Sequence, residues 1–280
     1  MSERYAVIGH PIAHSQSPLI HGLFARATGQ DMCYEAIDGG AEPGGFARAL
    51  AAFRASGGQG VNVTLPFKLD ALAAADEASD DALLAGAANA LRFDGARVQA
   101  QNFDGIGLVR DLEHNLCLPL AGRRVLLLGA GGAARGALLP LARAGAGRIV
   151  IANRTAAKAR ALVRDLAVHL PPACTLDGGG LDELRQGDAF DVVINATSAS
   201  LGHDAPTVSA SAFAAGALAY DMVYGKGLTP FLKQAQAAGC TRLADGAGML
   251  VEQAAEAFAW WRGVRPDTRA VLARLAVPLI

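Results

Sequence analysis

The chain has 280 residues, of which 52% are hydrophobic and 18% charged, and its formal net charge is -1 at pH 7. That length predicts about two domains, each with its own packed core, and the near-zero charge lacks the positive field that non-specific nucleic-acid binding uses. No uncharged apolar run approaches the roughly 18 residues a membrane helix needs, and the N-terminus enters a strand with no apolar signal core before it.

The expectations are therefore a cytoplasmic protein without a nucleic-acid or membrane partner. Cys33, Cys117, Cys174 and Cys240 are too scattered for a zinc or redox motif; they read as buried thiols, with no metal site.

In chain order, "RYAVIG" reads as a strand, and Ser17 followed by Pro18 as the N-cap and first position of a helix over "PLIHGLFARATG". A strand at "MCYEAI", a helix over "FARALAAFRAS" and a strand at "GVNVT" complete a βαβαβ unit. Asp94-Gly95, between "NALRF" and "ARVQA", marks a hairpin turn. Asp104 then opens a helix, "GIGLVRDLEHNL", whose helical apolar spacing makes it the expected link between domains.

The next segment carries the strongest local motif. The apolar run Val125 to Leu128 meets a glycine turn, an alanine-rich helix and a second buried strand, Ile149 to Ala152. This is the context of a dinucleotide fingerprint: Gly129 permits the tight turn, Gly131 lets the backbone approach a pyrophosphate, and Ala134 stands where a third glycine brings helix and strand together. Gly132 and Ala133 open the helix, whose free N–H groups and dipole favour phosphate.

After the second strand, an NAD enzyme generally places an acid for the ribose 2′-hydroxyl. This chain has Asn153, Arg154 and Thr155, with Lys158 a turn later. A guanidinium pairs with a 2′-phosphate that an acid would repel, so the pattern selects NADP.

Strands at "FDVVINAT", "GALAYDMVY" and "TRLA" extend the sheet. Asn195 and Thr197, at a strand's carboxyl end, are expected cofactor contacts, as are Gly246 and, at the floor of the nicotinamide pocket, Met222 and Met249. The amphipathic helix in "ADGAGMLVEQAAEAFAWW" is expected to pack back on the N-terminal half and bring Gln253 to the site.

Taken in order, "GHPIAHSQSPLIHG", "GVNVTLPFK", "AGAANAL", "NFDGIGL", "LLLGAGGAARG", "ANRT", "NATS", "YDMVY" and "ADGAGMLVEQAA" resemble the shikimate dehydrogenase family over nearly the whole chain. The resemblance implies an α/β fold of two domains with a cleft between them. Residues 1–105 plus 246–280 would form a substrate domain with a mainly parallel sheet, and residues 106–245 a Rossmann domain for NADP.

It also implies reversible hydride transfer between NADP(H) and the carbonyl of 3-dehydroshikimate, a step in aromatic amino acid biosynthesis; a monomer and a homodimer fit the sequence equally well. By the family's motifs, Ser15, Ser17 and Thr64 sit near the substrate carboxylate, with Tyr220 helping, while Asn62, Asn89 and Gln253 bond the ring hydroxyls. Lys68 and Asp104 match the catalytic pair.

Taken alone, Lys68 reads as an exposed loop residue; the assembled pattern gives it a task. Hydride arriving at a ketone builds negative charge on oxygen, and a cation that also gives a proton stabilises that charge and completes the alcohol. A lysine, with a free pKa of about 10.4, approaches about 7 to 8 when desolvated. A neighbouring aspartate opposes that lowering while holding the ammonium in place.

Two hydroxyl residues common in the family are replaced here, by Ala90 and Phe103, and Gln101 opens the "QNFDG" segment. A lost hydrogen bond to a polar substrate costs about 1 kcal/mol. Quinate or another hydroxy acid therefore stays open as substrate, as does a non-catalytic NADP-binding sensor.

Overall fold

The computed structural model describes residues 2–185, 187–199, 205–225, 227–275, 277 and 279. The chain divides into two compact units: Met1–Gly107 with Val251–Ala273, and Leu108–Leu250 with Arg274–Ile280. Against the expected edges, both crossings lie a few residues further on. The final residues go with the second unit, where Leu279 packs on its core.

The first unit alternates as its apolar pattern requires: β1 (Glu3–Gly9), α1 (Ser17–Thr28), β2 (Met32–Asp38), α2 (Gly45–Ala55), β3 (Gly58–Val63) and α3 (Lys68–Ala73). The two-residue β4 (Glu77–Ala78), α4 (Asp80–Ala85), and the hairpin β5 (Ala90–Asp94) and β6 (Arg97–Gln101) follow. The sheet order is β2-β1-β3-β5-β6-β4. β1 pairs in parallel with β2 and β3, while β5 runs antiparallel to both β3 and β6.

One face of this sheet packs Ala6, Ile8, Val61 and Val63 against Phe46, Leu50 and Phe53 of α2. Ser17 is not the N-cap of α1. Gln16 holds that position without a side-chain bond, and the Ser15 hydroxyl accepts the Ser17 N–H at 3.3 Å.

The link is α5 (Asp104–Arg110), which runs into a π-helical turn, Asp111–Asn115, in place of a continuous α-helix. The second unit contains β7 (Arg124–Leu128), α6 (Gly132–Arg143), β8 (Arg148–Asn153), α7 (Ala156–Leu166) and β9 (Thr175–Gly180). β10 (Phe190–Asn195), β11 (Phe213–Asp221), α8 (Pro230–Ala237) and β12 (Arg242–Asp245) complete its sheet.

That sheet has the order β12-β11-β10-β7-β8-β9 and is parallel throughout. The order in which the chain adds strands reverses between β7 and β10, the switch point at which doubly wound sheets bind ligands. β9, sequence TLDGGG, escapes the periodicity because three glycines carry no strand signal; pairing with β8 holds it in the sheet.

α9 (Ala247–Arg262) and α10 (Arg269–Leu275) close the chain. Among the described residues no helix is long and apolar enough to cross a membrane. Cys174 and Cys240 are buried as expected, whereas Cys33 and Cys117 are exposed.

Candidate active site

In the first unit, strand ends bring the chemistry together. Ile8 pairs with Val63, so β1 and β3 finish side by side, and the segments that leave them carry Ser15 and the run Thr64 to Lys68. Asn62 lies opposite Ala90, and Ala90 opposite Gln101. The start of β5 and the end of β6 therefore lie at the same end of the sheet, and with them Asn89 and the segment leading to Asp104. Carboxyl ends of parallel strands are where open α/β sheets bind ligands.

Lys68 begins α3 and Asp104 begins α5. The Lys68 Nζ donates to Asp104 Oδ2 at 2.6 Å, with both side chains partly open to solvent, at 27% and 20%. Asn102 Oδ1 accepts the Asp104 N–H at 3.0 Å and fixes the first turn of α5.

Asn89 holds the carboxylate from the other side. Its Nδ2 donates to Asp104 Oδ1 at 2.8 Å and to Gln253 Oε1, on α9, at 3.2 Å, while its Oδ1 accepts the Phe103 N–H at 2.9 Å. Asn62 joins through the backbone: its Nδ2 donates to the Asn89 carbonyl at 3.2 Å, and its Oδ1 accepts the Tyr34 hydroxyl at 2.7 Å. Ser17, Asn62, Asn89 and Gln253 are buried, and Ser15, Thr64 and Lys68 are half-buried.

Ala90 and Phe103, the departures from the family pattern, give no side-chain hydrogen bond to this polar group, although Ala90, paired with Asn62, shares its face of the sheet. Both are buried in an apolar cluster with Ala257, and Ile106, Trp260 and Trp261 pack against it. The Phe103 ring meets Trp260 edge-on with centroids 5.9 Å apart. A hydroxyl at either position would need a partner inside that cluster, so their replacement follows the packing around them.

Tyr220 corrects an expectation. It is fully buried in β11, and its hydroxyl donates to Asp111 Oδ2 at 2.7 Å. Burial and the neighbouring carboxylate push its pKa well above the ordinary value. It is a core residue of the second unit and offers nothing to a substrate. Of the two tyrosines in "YDMVY", Tyr224 is the exposed one, with its pKa raised by burial of part of the ring. The signal that separates them is the strand end: β11 stops at Asp221, so only Tyr224 lies past its carboxyl end.

The second unit presents a dinucleotide cradle. Gly129 has φ +105°, closed to other residues, and a Cβ there would stand 2.9 Å from Thr197 Cγ2. α6 begins at Gly132 after Gly131, with no side-chain cap, so its first N–H groups face solvent through exposed Gly131, Gly132 and Ala133. Ala134 is fully buried, closing the helix onto the sheet.

A groove of about 300 Å³ beside this turn is lined by Ala130, Gly131, Gly132, Arg135, Lys158 and Asp165. Asn153 ends β8 with its Nδ2 donating to the Thr155 carbonyl at 2.9 Å. Arg154, Thr155 and Lys158 are exposed, and among the described residues neither cation has an ion-pair partner. Uncapped N–H groups and two unpaired cations after β8 fit a dinucleotide with a 2′-phosphate.

Asn195 needs correcting as a cofactor contact. It is fully buried, its Nδ2 donates to Asp221 Oδ1, and its Oδ1 accepts from both the N–H and the hydroxyl of Thr197. It shapes the loop that puts Thr197 under the glycine turn. Met222 and Met249 are half-buried. Gly246 lets the chain pass close to Met222, where a Cβ would fall 2.3 Å from the Met222 carbonyl oxygen.

The sequence matches three family models: the shikimate dehydrogenase substrate-binding domain over residues 7–91, shikimate / quinate 5-dehydrogenase over 111–208, and the shikimate 5′-dehydrogenase C-terminal domain over 246–276. It is 55% identical over 273 residues, 98% of this chain and 96% of the relative, to a protein of Aromatoleum aromaticum named shikimate dehydrogenase (NADP(+)).

Among solved structures, it is 56% identical to an Ael1 enzyme from Pseudomonas putida, with a TM-score of 0.92 and 100% of each chain covered. The 5-ketofructose reductase of a Gluconobacter strain is 31% identical, with a TM-score of 0.84 and 98% of each chain covered. With the Lys68–Asp104 pair, the cradle and these likenesses in place, the chain belongs to the shikimate dehydrogenase family.

Proposed function

We propose that this protein is an NADP-dependent oxidoreductase that interconverts 3-dehydroshikimate and shikimate in aromatic amino acid biosynthesis, with Lys68 and Asp104 as its catalytic pair. The observation that carries the reading is the ammonium of Lys68 held 2.6 Å from a carboxylate that Asn89 fixes from its other oxygen. NADP(H), bound at the cradle of the second unit, supplies or accepts the hydride.

The chain's own residues do the rest. Lys68 has three N–H donors and gives one to Asp104, which leaves two for a carbonyl oxygen and the proton that becomes its hydroxyl hydrogen. Asp104 engages one lone pair on each oxygen with Lys68 and Asn89, and the remaining lone pairs accept the substrate hydroxyl. In the oxidation direction the same proton returns through Lys68 to solvent.

The hydroxyls of Ser15, Ser17 and Thr64 are suited to donate to a carboxylate, and Asn62 and Gln253 to bond ring hydroxyls. Arg154 and Lys158, with Thr155, take the 2′-phosphate. The substrate is shikimate before quinate, because Ala90 and Phe103 lie in the apolar cluster and leave the polar group intact. The protein works in the cytoplasm as a monomer or homodimer.

Lys68→Ala tests the pair. It is expected to lower kcat by about 10²- to 10⁴-fold, the range of a positioned general acid, with KM for shikimate within about threefold. A kcat within twofold of the parent would remove Lys68 from the reaction.

A further inference from the structure

We infer that Tyr34 is a positioning residue for this reaction, its hydroxyl fixing the side-chain amide of Asn62 so that Asn62 faces the substrate as an N–H donor. The inference rests on the substrate reading given above, in which Asn62 bonds a ring hydroxyl.

Tyr34 lies on β2 and Asn62 on β3, with β1 between them. Tyr34 pairs with Tyr5, and Asn62 with Val7 two residues on, so both side chains stand on the same face of the sheet. The hydroxyl reaches across β1 to Asn62 Oδ1 at 2.7 Å.

On the other side of that amide, Nδ2 donates to the Asn89 carbonyl, which can only accept. The two contacts permit one orientation. The oxygen points to Tyr34 and one N–H to Asn89, which leaves the second N–H for a ligand, although the Asn62 amide also interacts with the His21 ring without a well-formed hydrogen bond to it.

What holds Tyr34 is a buried imidazole. The His21 ring, on α1, lies flat against the Tyr34 ring with centroids 4.2 Å apart and planes 4° apart. His21 is fully buried, with Phe24, Phe258 and Trp261 around it. Among the described residues neither ring nitrogen has a hydrogen-bond partner. Stacking therefore fixes the Tyr34 ring, and the hydroxyl alone meets the polar site.

Tyr34→Phe removes that oxygen and keeps the stacked ring. Substrate held by Asn62 is held in ground and transition states alike, so KM moves while kcat does not. The expected result is a KM for shikimate raised about 5- to 20-fold, with kcat within twofold, KM for NADP unchanged and a Tm close to the parent's. In an Asn62→Ala background, Tyr34→Phe is expected to add less than twofold, because its effect passes through Asn62.

A KM within twofold of the parent in the single variant, or effects of Tyr34→Phe and Asn62→Ala that multiply independently, would overturn the inference. Where the single variant does not fold, His21→Phe with Tyr34→Phe restores an apolar stacked pair and carries the same KM expectation. A parent enzyme that does not turn over shikimate overturns the substrate reading and this inference with it. A parent that does, with an unmoved variant KM, overturns the role of Tyr34 alone.

Discussion

His21 shows how one residue sets a pH limit. Burial lowers its pKa from the ordinary 6.5 to about 3; Asn62 opposes this weakly, without a well-formed hydrogen bond to the ring. The folded state keeps the imidazole neutral, whereas the unfolded state binds a proton below pH 6.5. The stabilisation is therefore fully present above that value and is lost as pH falls toward 3, at about 1.4 kcal/mol per unit.

Of the rings packed on His21, only Tyr34 titrates, and burial raises its pKa far above this window. Denaturant midpoints at about pH 7 and about pH 5 are expected to show a drop of about 2 kcal/mol in the parent from this group. His21→Phe removes that part of the drop; an unchanged pH slope in the variant would refute the assignment.

At this scale the sequence carried the polar residues unevenly. Lys68 and Asp104 are legible only through the surrounding motifs, since nothing local predicts that positions 36 apart meet at 2.6 Å. Tyr220 and Asn195 misled because a residue type near a strand end does not say which way its side chain points. Tyr34 and His21 gave no chemical signal, being ring residues within ordinary strand and helix patterns.

Elements place these residues, and two placements make predictions. The turn after β8 presents Arg154 exposed and without an acid partner among the described residues. Arg154→Ala is expected to raise KM for NADP about 10- to 100-fold, as loss of a charge-assisted bidentate contact does, and to leave KM for NAD nearly unchanged. Equal effects on both cofactors would assign Arg154 a structural role.

α9, which carries Gln253, is tied to the segment after it. The nearly buried Glu252 carboxylate accepts from Arg265 at 2.6 Å and from the Thr268 hydroxyl at 2.7 Å, while Glu256 accepts from Arg265 at 2.9 Å. Arg265→Ala takes a cation from a buried carboxylate, and a loss of about 3 kcal/mol in a denaturant melt is the expected cost. A loss below about 0.5 kcal/mol would make the tie a surface pair.

Apolar alternation and glycine turns announced the strands and helices that bound the site. The short β4, glycine-rich β9 and the π turn at Asp111–Asn115 left no comparable mark, because pairing with neighbours and local helix geometry hold them.

At the scale of the molecule, both units follow from alternating strand and helix signals, but their edges do not. All three crossings fall inside helices, α5, α9 and α10, which run on across them without a break. The antiparallel β5 and β6 were legible from Asp94-Gly95, with Gly95 at φ +56° in the turn. The substrate class is a property of the whole pattern, and the likeness to a 5-ketofructose reductase at 31% identity shows that this fold serves another ketone in a related protein.

The most direct measurement is the initial rate of NADPH or NADH formation by the purified protein, with shikimate and quinate side by side, each offered with NADP and with NAD. Rapid oxidation of shikimate with NADP is expected, and slower turnover in the other three combinations. Negligible shikimate oxidation by protein that binds NADP, or faster turnover of quinate, would contradict the proposed function.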